Sequence, residues 1–146
     1  MKKILIALSL VFLLSSFSKD LKPTLSYAIV FGGCFEKDKV TLKVNNVMLI
    51  DNYEIISDKM FRGNSNLGIS QAGGKIQIRM NDKLIYKAAV KLKGHIVFDF
   101  LVNNKPYHYE VQLKNGRIFL VEFCNSKNVK GQSMTFEQRK TPVLVL

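Results

Sequence analysis

The sequence predicts an all-β protein, a small antiparallel β-sandwich with a C-terminal meander. Apolar and polar residues alternate with period two over much of the chain from Val40 onward, as in half-buried strands. Clusters of Asn, Gly and Pro end these runs, and no stretch after residue 18 has a helical period. An up-and-down β-barrel is the alternative; we favour the sandwich because the N-terminal strands must also find a sheet.

The first residues have the pattern of a secretory signal peptide. Lys2 and Lys3 precede an apolar run from Ile4 to Leu14, and small residues follow before the charged Lys19. The run is shorter than the ~20 apolar residues that a membrane-spanning helix needs. We therefore expect a protein exported by a bacterium, secreted or periplasmic, with no integral membrane span.

This division predicts three segments: a signal peptide over residues 1–18, a leader over 19–24 and a single β domain over 25–146. The remaining length suffices for one domain with a core and not for two. Removing the two lysines of the signal from the formal charge of +11 leaves +9. A basic protein attracts anions, although net charge alone identifies no partner.

Cys34 and Cys124 are the two cysteines, and in an exported protein the expected arrangement is one disulfide. The long loop that it closes makes it worth roughly 4–5 kcal/mol in the chain-entropy model. Two free buried thiols are an alternative. A lipid-anchored Cys34 is another, because Phe31-Gly32-Gly33-Cys34 loosely resembles a bacterial lipobox. The charged residues between the apolar run and Cys34 argue against the anchor.

In chain order, Tyr27–Phe31 predicts a buried strand and Val40–Val44 a half-buried one. Val47–Ile50 and Tyr53–Ile56 are weaker strand candidates around a turn at Asp51-Asn52. The next stretch, Lys59–Gly74, is dense in Gly and Asn, so we expect a long loop, with a short strand at 67–70 as an option. Such a loop is either mobile or functional.

Between Lys75 and Cys124 we expect five consecutive strands joined by short turns. In the first four, alternate apolar residues face inward: Ile76–Met80, Leu84–Leu92, Ile96–Val102 and Tyr107–Leu113. The fifth, Ile118–Phe123, is almost wholly apolar, as in a central strand that is covered on both faces. Asn115-Gly116 is the strongest hairpin signal, because a type I′ turn needs positive φ at both residues. Gln132–Gln138 and Pro142–Leu146 are candidate closing strands.

The chain contains little that resembles a catalytic centre, and we predict neither an enzyme nor a cofactor. His95 and His108 lie off the apolar faces of their strands, and no Ser-His-Asp or Cys-His arrangement follows from spacing. Glu36 and Asp38 are the one close carboxylate pair, which we interpret as capping a charged turn. No cluster has zinc-ligand spacing.

One polar feature is patterned: a row of cations predicted to lie opposite the apolar positions of the strands. We predict that they form one basic sheet face, to which an anionic polysaccharide or another envelope polymer docks. The row consists of Lys43, Lys75, Arg79, Lys83, Lys87, Lys91 and Lys93. The alternative is a solvated face whose lysines guard against edge-to-edge aggregation.

The predicted function is therefore a small non-catalytic binding protein of the cell envelope or exterior, with Arg62 or Arg79 making bidentate contacts to the anion. One alternative is a carbohydrate-binding module that uses Tyr107 and Tyr109 as a stacking platform. Another is an enzyme inhibitor with a protein partner, to which it would present Lys59–Gly74.

Overall fold

The structure is a computed structural model that describes residues 25–57, 66–81, 83–125 and 131–141. The predictions for residues 1–24, 59–65 and 142–146 lie outside the described residues. Ten strands are present: β1 Leu25–Phe31, β2 Glu36–Val44, β3 Val47–Ile56, β4 Leu67–Ala72, β5 Lys75–Met80, β6 Lys83–Ala88, β7 His95–Val102, β8 Lys105–Gln112, β9 Ile118–Asn125 and β10 Gln132–Arg139.

The strands form two sheets, which confirms the predicted all-β sandwich. One sheet has six strands in the order β10-β9-β1-β4-β5-β6, and the other has four in the order β3-β2-β7-β8. Their pairings are antiparallel except for β1 with β9, which run parallel. The sheets stay separate and do not close into a barrel, so the barrel alternative is wrong.

Aromatic side chains fill the space between the sheets. Phe98 of the four-stranded sheet packs edge-on against Phe119 of the six-stranded sheet, with ring centroids 4.8 Å apart. Tyr109 stacks on Phe136 at 4.4 Å, which ties the outermost strand of each sheet together. These rings lie among aliphatic residues buried in the same cluster. Burial of large apolar side chains is the main stabilising contribution to such a core.

The predicted disulfide between Cys34 and Cys124 is confirmed, with a Cα–Cα distance of 5.0 Å and a sequence separation of 90 residues. It joins the segment after β1 to β9, next to the parallel pairing of these strands. The two alternatives are therefore wrong. Neither sulfur is a free thiol, and the sulfur of Cys34, already bonded, cannot carry a lipid.

Two predicted polar turns are confirmed as hairpins. Asn45-Asn46 has φ values of 47° and 64°, and Asn103-Asn104 has values of 49° and 66°. Positive φ at both central residues is the requirement of a type I′ turn, and asparagine tolerates it better than most side chains.

Asn115-Gly116, in contrast, is not a hairpin turn. Leu113–Asn115 forms one 3-10 turn, and the chain then crosses from the four-stranded to the six-stranded sheet. At Gly116 a Cβ atom would lie 2.3 Å from the carbonyl oxygen of Arg139, so glycine is needed for close backbone approach. The C-terminal run therefore consists of three hairpins, β5–β6, β7–β8 and β9–β10, in alternating sheets.

The N-terminal half departs from prediction in two places. Asp51-Asn52 is not a turn between two strands but a bulge within the single strand β3, where the register with β2 shifts. Within the predicted loop, residues 67–72 form β4, a central strand of the six-stranded sheet, and Gly73-Gly74 turns into β5. The optional short strand was thus the better interpretation.

Strand β6 has the opposite phase to the one predicted. Hairpin partners lie on the same face of a sheet, and Met80, which packs on the core, pairs with Lys83. Ile85 therefore faces inward, while Leu84 and Tyr86 face outward with 48% and 56% of their surface exposed. The alternating pattern by itself predicts the phase that buries the larger number of apolar residues. That phase is wrong here because β6 is an edge strand at the margin of the core.

The same strand ends at Ala88, four residues earlier than predicted, and a glutamine directs the chain that follows it. Gln71 is buried, with 4% of its surface exposed. Its Oε1 accepts a hydrogen bond from the Val90 N–H at 2.9 Å, and its Nε2 donates to the Val90 carbonyl at 3.1 Å. The amide thus replaces a strand neighbour for Val90 and holds the crossover between the sheets.

Candidate functional site

The predicted basic row does not form one face. Lys75 and Arg79 lie on the outer face of the six-stranded sheet, the side turned away from the other sheet, whereas Lys43 lies on the outer face of the four-stranded sheet. Lys83 and Lys87 occupy inward register positions of β6. Lys91 and Lys93 lie in the connection to β7. The prediction of a single cationic face is therefore wrong, because the row spans two sheets and a connection and because β6 has the opposite phase to the one predicted.

Lys87 has a structural contact at the margin of the sandwich. Its Nζ donates hydrogen bonds to the carbonyl oxygens of Met48 and Leu49, at 3.1 and 2.7 Å. These carbonyls belong to β3, the edge strand of the other sheet. The ammonium group thus links two sheet edges, and inward-pointing charge on an edge strand opposes edge-to-edge association.

Tyr107 and Tyr109 do not form an outward platform. Their register partners in β7 are Phe100 and Phe98, both buried, so the two tyrosines face the inside of the sandwich. Both pack on the hydrophobic core, and Lys105 Nζ lies 5.5 Å from the centre of the Tyr107 ring. Burial, together with the neighbouring Tyr107, raises the pKa of the Tyr109 hydroxyl above its ordinary value. These residues are core rather than a sugar-stacking surface.

Both histidines lie at exposed positions of the four-stranded sheet. His108 Nδ1 lies 2.6 Å from Asp99 Oδ1, with both side chains on the exposed face of the four-stranded sheet. His95 is exposed at the start of β7. Within the described ranges, no three side chains of the His, Cys, Asp and Glu types are grouped as metal ligands would be.

Asp38 and Glu36 do not form a pair of the glycosidase kind. Asp38 is buried, with 5% of its surface exposed, and both of its oxygens accept hydrogen bonds. Oδ2 accepts from the Glu36 N–H at 2.8 Å, and Oδ1 accepts from Asn103 Nδ2 at 2.7 Å. The carboxylate thus caps its own turn, as predicted, and also fastens it to the β7–β8 turn.

An open groove crosses the outer face of the six-stranded sheet over β1, β4, β5 and β6, and we call it the Gly68 groove. It has a volume of about 440 Å³. Two rows of register partners run across it, one of Val30, Gly68, Arg79 and Leu84 and one of Ala28, Ser70, Gln77 and Tyr86.

Small side chains create this groove. On the two central strands, β1 and β4, the outward positions hold alanine, glycine and serine except for Val30, and these short side chains leave the backbone of β4 uncovered. The guanidinium of Arg79 extends across this gap, with Nη2 3.6 Å from the position that a Cβ of Gly68 would take. A planar cation therefore lies on a shallow floor with polar neighbours, Ser70 and Gln77, in the adjacent row.

Charge is separated across this face. On the β9–β10 side, Arg139 Nη2 contacts Glu137 Oε2 at 2.6 Å and interacts electrostatically with Glu122. The hydrogen bond from Arg139 lowers the pKa of the Glu137 carboxyl. On the β5 side, neither Lys75 nor Arg79 is paired with a carboxylate among the residues that the structure describes. The β5 side of the groove is thus bordered by two cations with no carboxylate partner in the described ranges.

Several residues of the groove were missed in the sequence. Gly68 and Ser70 fell in the predicted loop, where small residues were interpreted as turn formers. Their spacing of two positions, continued by Ala72, was the available signal of a strand with one uncovered face. Arg62, the other arginine predicted to bind an anion, lies outside the described residues, as does the first half of the Lys59–Gly74 segment.

Comparison with protein-family models, with curated proteins and with solved structures found no match to this chain. In the part of the chain that the structure covers, no helix has the length and hydropathy that crossing a membrane requires. The disulfide is typical of proteins from an oxidising compartment.

Proposed function

We propose that this protein is an exported, non-catalytic binding module that docks an anionic polymer in the Gly68 groove. The observation that carries the proposal is an open groove beside two cations, Arg79 and Lys75, that are paired with no carboxylate among the described residues. Arg79 and Lys75 are the members of the predicted basic row that lie on the same outer face as the groove.

Long-range attraction supports this function. The predicted charge of +9 after removal of the signal draws polyanions toward the protein from any direction. The groove then supplies a place where a polymer lies flat against the backbone instead of against a layer of long side chains. Export is supported by the predicted signal peptide and by the disulfide.

The test is retention on a heparin-type resin at low salt, where we expect wild-type protein to bind and to elute at moderate salt. The double variant Lys75→Glu/Arg79→Glu should lose this retention. The matched control is Lys105→Glu/Lys114→Glu, which changes the net charge equally at two exposed positions away from the groove. The control should remain bound at low salt.

Two results would count against the proposal. Absence of wild-type retention at low salt would exclude docking of this polymer class. Equal losses in the two double variants would show that retention follows net charge and not the groove.

A further inference from the structure

We infer that the polymer in the Gly68 groove is an acidic polysaccharide, a chain of sugar rings that carry carboxylates, rather than a polyphosphate or a nucleic acid. The inference rests on the proposed function and narrows it to one class of ligand. Charge density, the apolar floor and the chemistry of the polar groups each support it.

The first argument is charge density. Lys75 and Arg79 are four residues apart on β5, which corresponds to about 13 Å at about 3.3 Å per residue. Over that length a nucleic acid strand carries about four phosphates, one per 3.4 Å. The two cations that face them, Lys75 and Arg79, are paired with no carboxylate among the described residues. A polymer with one carboxylate per ring, spread over a longer repeat, fits this sparse charge better.

The second argument is the floor of the groove. Ala28, Val30 and Leu84 expose methyl and methylene groups to the groove, and Tyr86 lies at the end of one row with 56% of its surface exposed. Sugar rings have C–H faces that pack on apolar and aromatic surfaces, while a phosphate chain offers none. Ligand sites commonly combine such an apolar lining with a few polar groups that fix orientation.

The third argument is the polar chemistry. The side chains of Ser70 and Gln77 are neutral donors and acceptors, and neither side chain has a hydrogen-bond partner among the described residues. They suit hydroxyl groups, which also donate and accept. Arg79 provides a planar fork that matches a carboxylate with two parallel hydrogen bonds. One fork beside a neighbouring row of two neutral groups corresponds to a ligand that carries both carboxylates and hydroxyls.

The experiment compares immobilised polygalacturonate, its carboxyl-reduced form, polyphosphate and a single-stranded oligonucleotide by biolayer interferometry. We expect polygalacturonate to bind at least about tenfold more tightly than polyphosphate or the oligonucleotide at equal charge concentration. Carboxyl reduction should remove most of this affinity, because Arg79 then has no anion to bind.

Two variants probe the groove itself. Gly68→Val fills the floor beneath the guanidinium and should weaken binding to polygalacturonate by about tenfold or more. Arg79→Lys keeps the charge but removes the fork, and should weaken binding severalfold. Thr135→Leu is the control, since it adds bulk on the same outer face at β10, away from the groove. Thermal unfolding checks that each variant is folded, and Arg79→Lys remains informative if Gly68→Val is not.

The outcomes separate this inference from the proposed function. Equal or tighter binding of polyphosphate or the oligonucleotide would overturn the polysaccharide assignment and leave an anion-binding module. Polygalacturonate binding that is unchanged in Gly68→Val and Arg79→Lys would also overturn it. Failure to bind any of the polyanions would overturn the proposed function itself.

Discussion

The outer faces of the two sheets use their polar side chains differently. On the four-stranded sheet these side chains are engaged with each other and with the backbone. The Thr41 hydroxyl accepts a hydrogen bond from the Asn52 N–H at 2.9 Å and donates to Asp51 at 3.2 Å, and His108 is bonded to Asp99. On the six-stranded sheet, the side chains of Ser70 and Gln77 have no hydrogen-bond partner among the described residues.

This contrast shows that positive charge alone does not make a binding surface. Lys43 is as cationic as Lys75, but its register partner on the outer face of the four-stranded sheet is the carboxylate residue Asp99. The six-stranded sheet has its structural polar contact inside, where Gln71 holds Val90. On its outer face the side chains of Ser70 and Gln77 have no hydrogen-bond partner among the described residues and can meet a ligand.

The largest expected effect comes from removing that internal contact. Gln71→Leu leaves the N–H and carbonyl of Val90 without partners in the interior, and should lower the free energy of unfolding by about 2–4 kcal/mol. Gln77→Leu, on the next strand but facing outward, should change it by no more than about 0.5 kcal/mol. Urea unfolding measures both. Similar losses in the two variants would contradict the division between an internal structural amide and an external free one.

A smaller effect on the free energy of unfolding is expected from one substitution on the outer face of each sheet. Thr41→Val removes two hydrogen bonds that hold the β3 bulge, and should cost about 1 kcal/mol of unfolding free energy. Gly68→Val should cost nothing, because valine favours strands and the added Cβ meets Arg79 at an ordinary contact distance. Thermal unfolding followed by circular dichroism tests the pair. A destabilised Gly68→Val would mean that the glycine is needed for the fold.

The smallest effect at neutral pH concerns Tyr27, which is fully buried on the inner face of the six-stranded sheet. Burial raises the pKa of its hydroxyl far above the ordinary value of about 10. The folded state therefore keeps the phenol neutral where the unfolded chain ionises, and stability should fall as the pH rises above about 10.

Tyr27→Phe should reduce this alkaline loss. At pH 7 it should change stability little, since the hydroxyl has no hydrogen-bond partner among the described residues. Tyr109→Phe, in the four-stranded sheet, provides the comparison: Tyr109 is only partly buried, so its alkaline effect should be weaker. Urea unfolding at a series of pH values measures both, and an unchanged pH dependence in Tyr27→Phe would refute the assignment.

Much of the fold could be predicted from local patterns, because strand alternation and turn chemistry are local. Asn103-Asn104 is recognisable since few other side chains tolerate positive φ at two successive positions. The hairpin predicted at Asn115-Gly116 was wrong because glycine also occurs where two backbone segments approach closely. The requirement at Gly116 is set by the backbone of Arg139, which is distant in sequence.

The candidate site was less predictable. The phase of β6 could have been corrected from its hairpin, because Met80 and Lys83 must share a face when two residues separate them. The Gly68 groove could not be predicted from the sequence, since it depends on which small side chains become neighbours across four strands. Register between β1 and β4 joins segments about forty residues apart, and no local pattern specifies it.

The inward lysines of β6 have a consequence for crowded protein. A further extended chain that approached the β3 margin would have to displace the ammonium of Lys87 from Met48 and Leu49. Molecules bound side by side on one long ligand would thus be hindered from joining their sheets through the β3 edge.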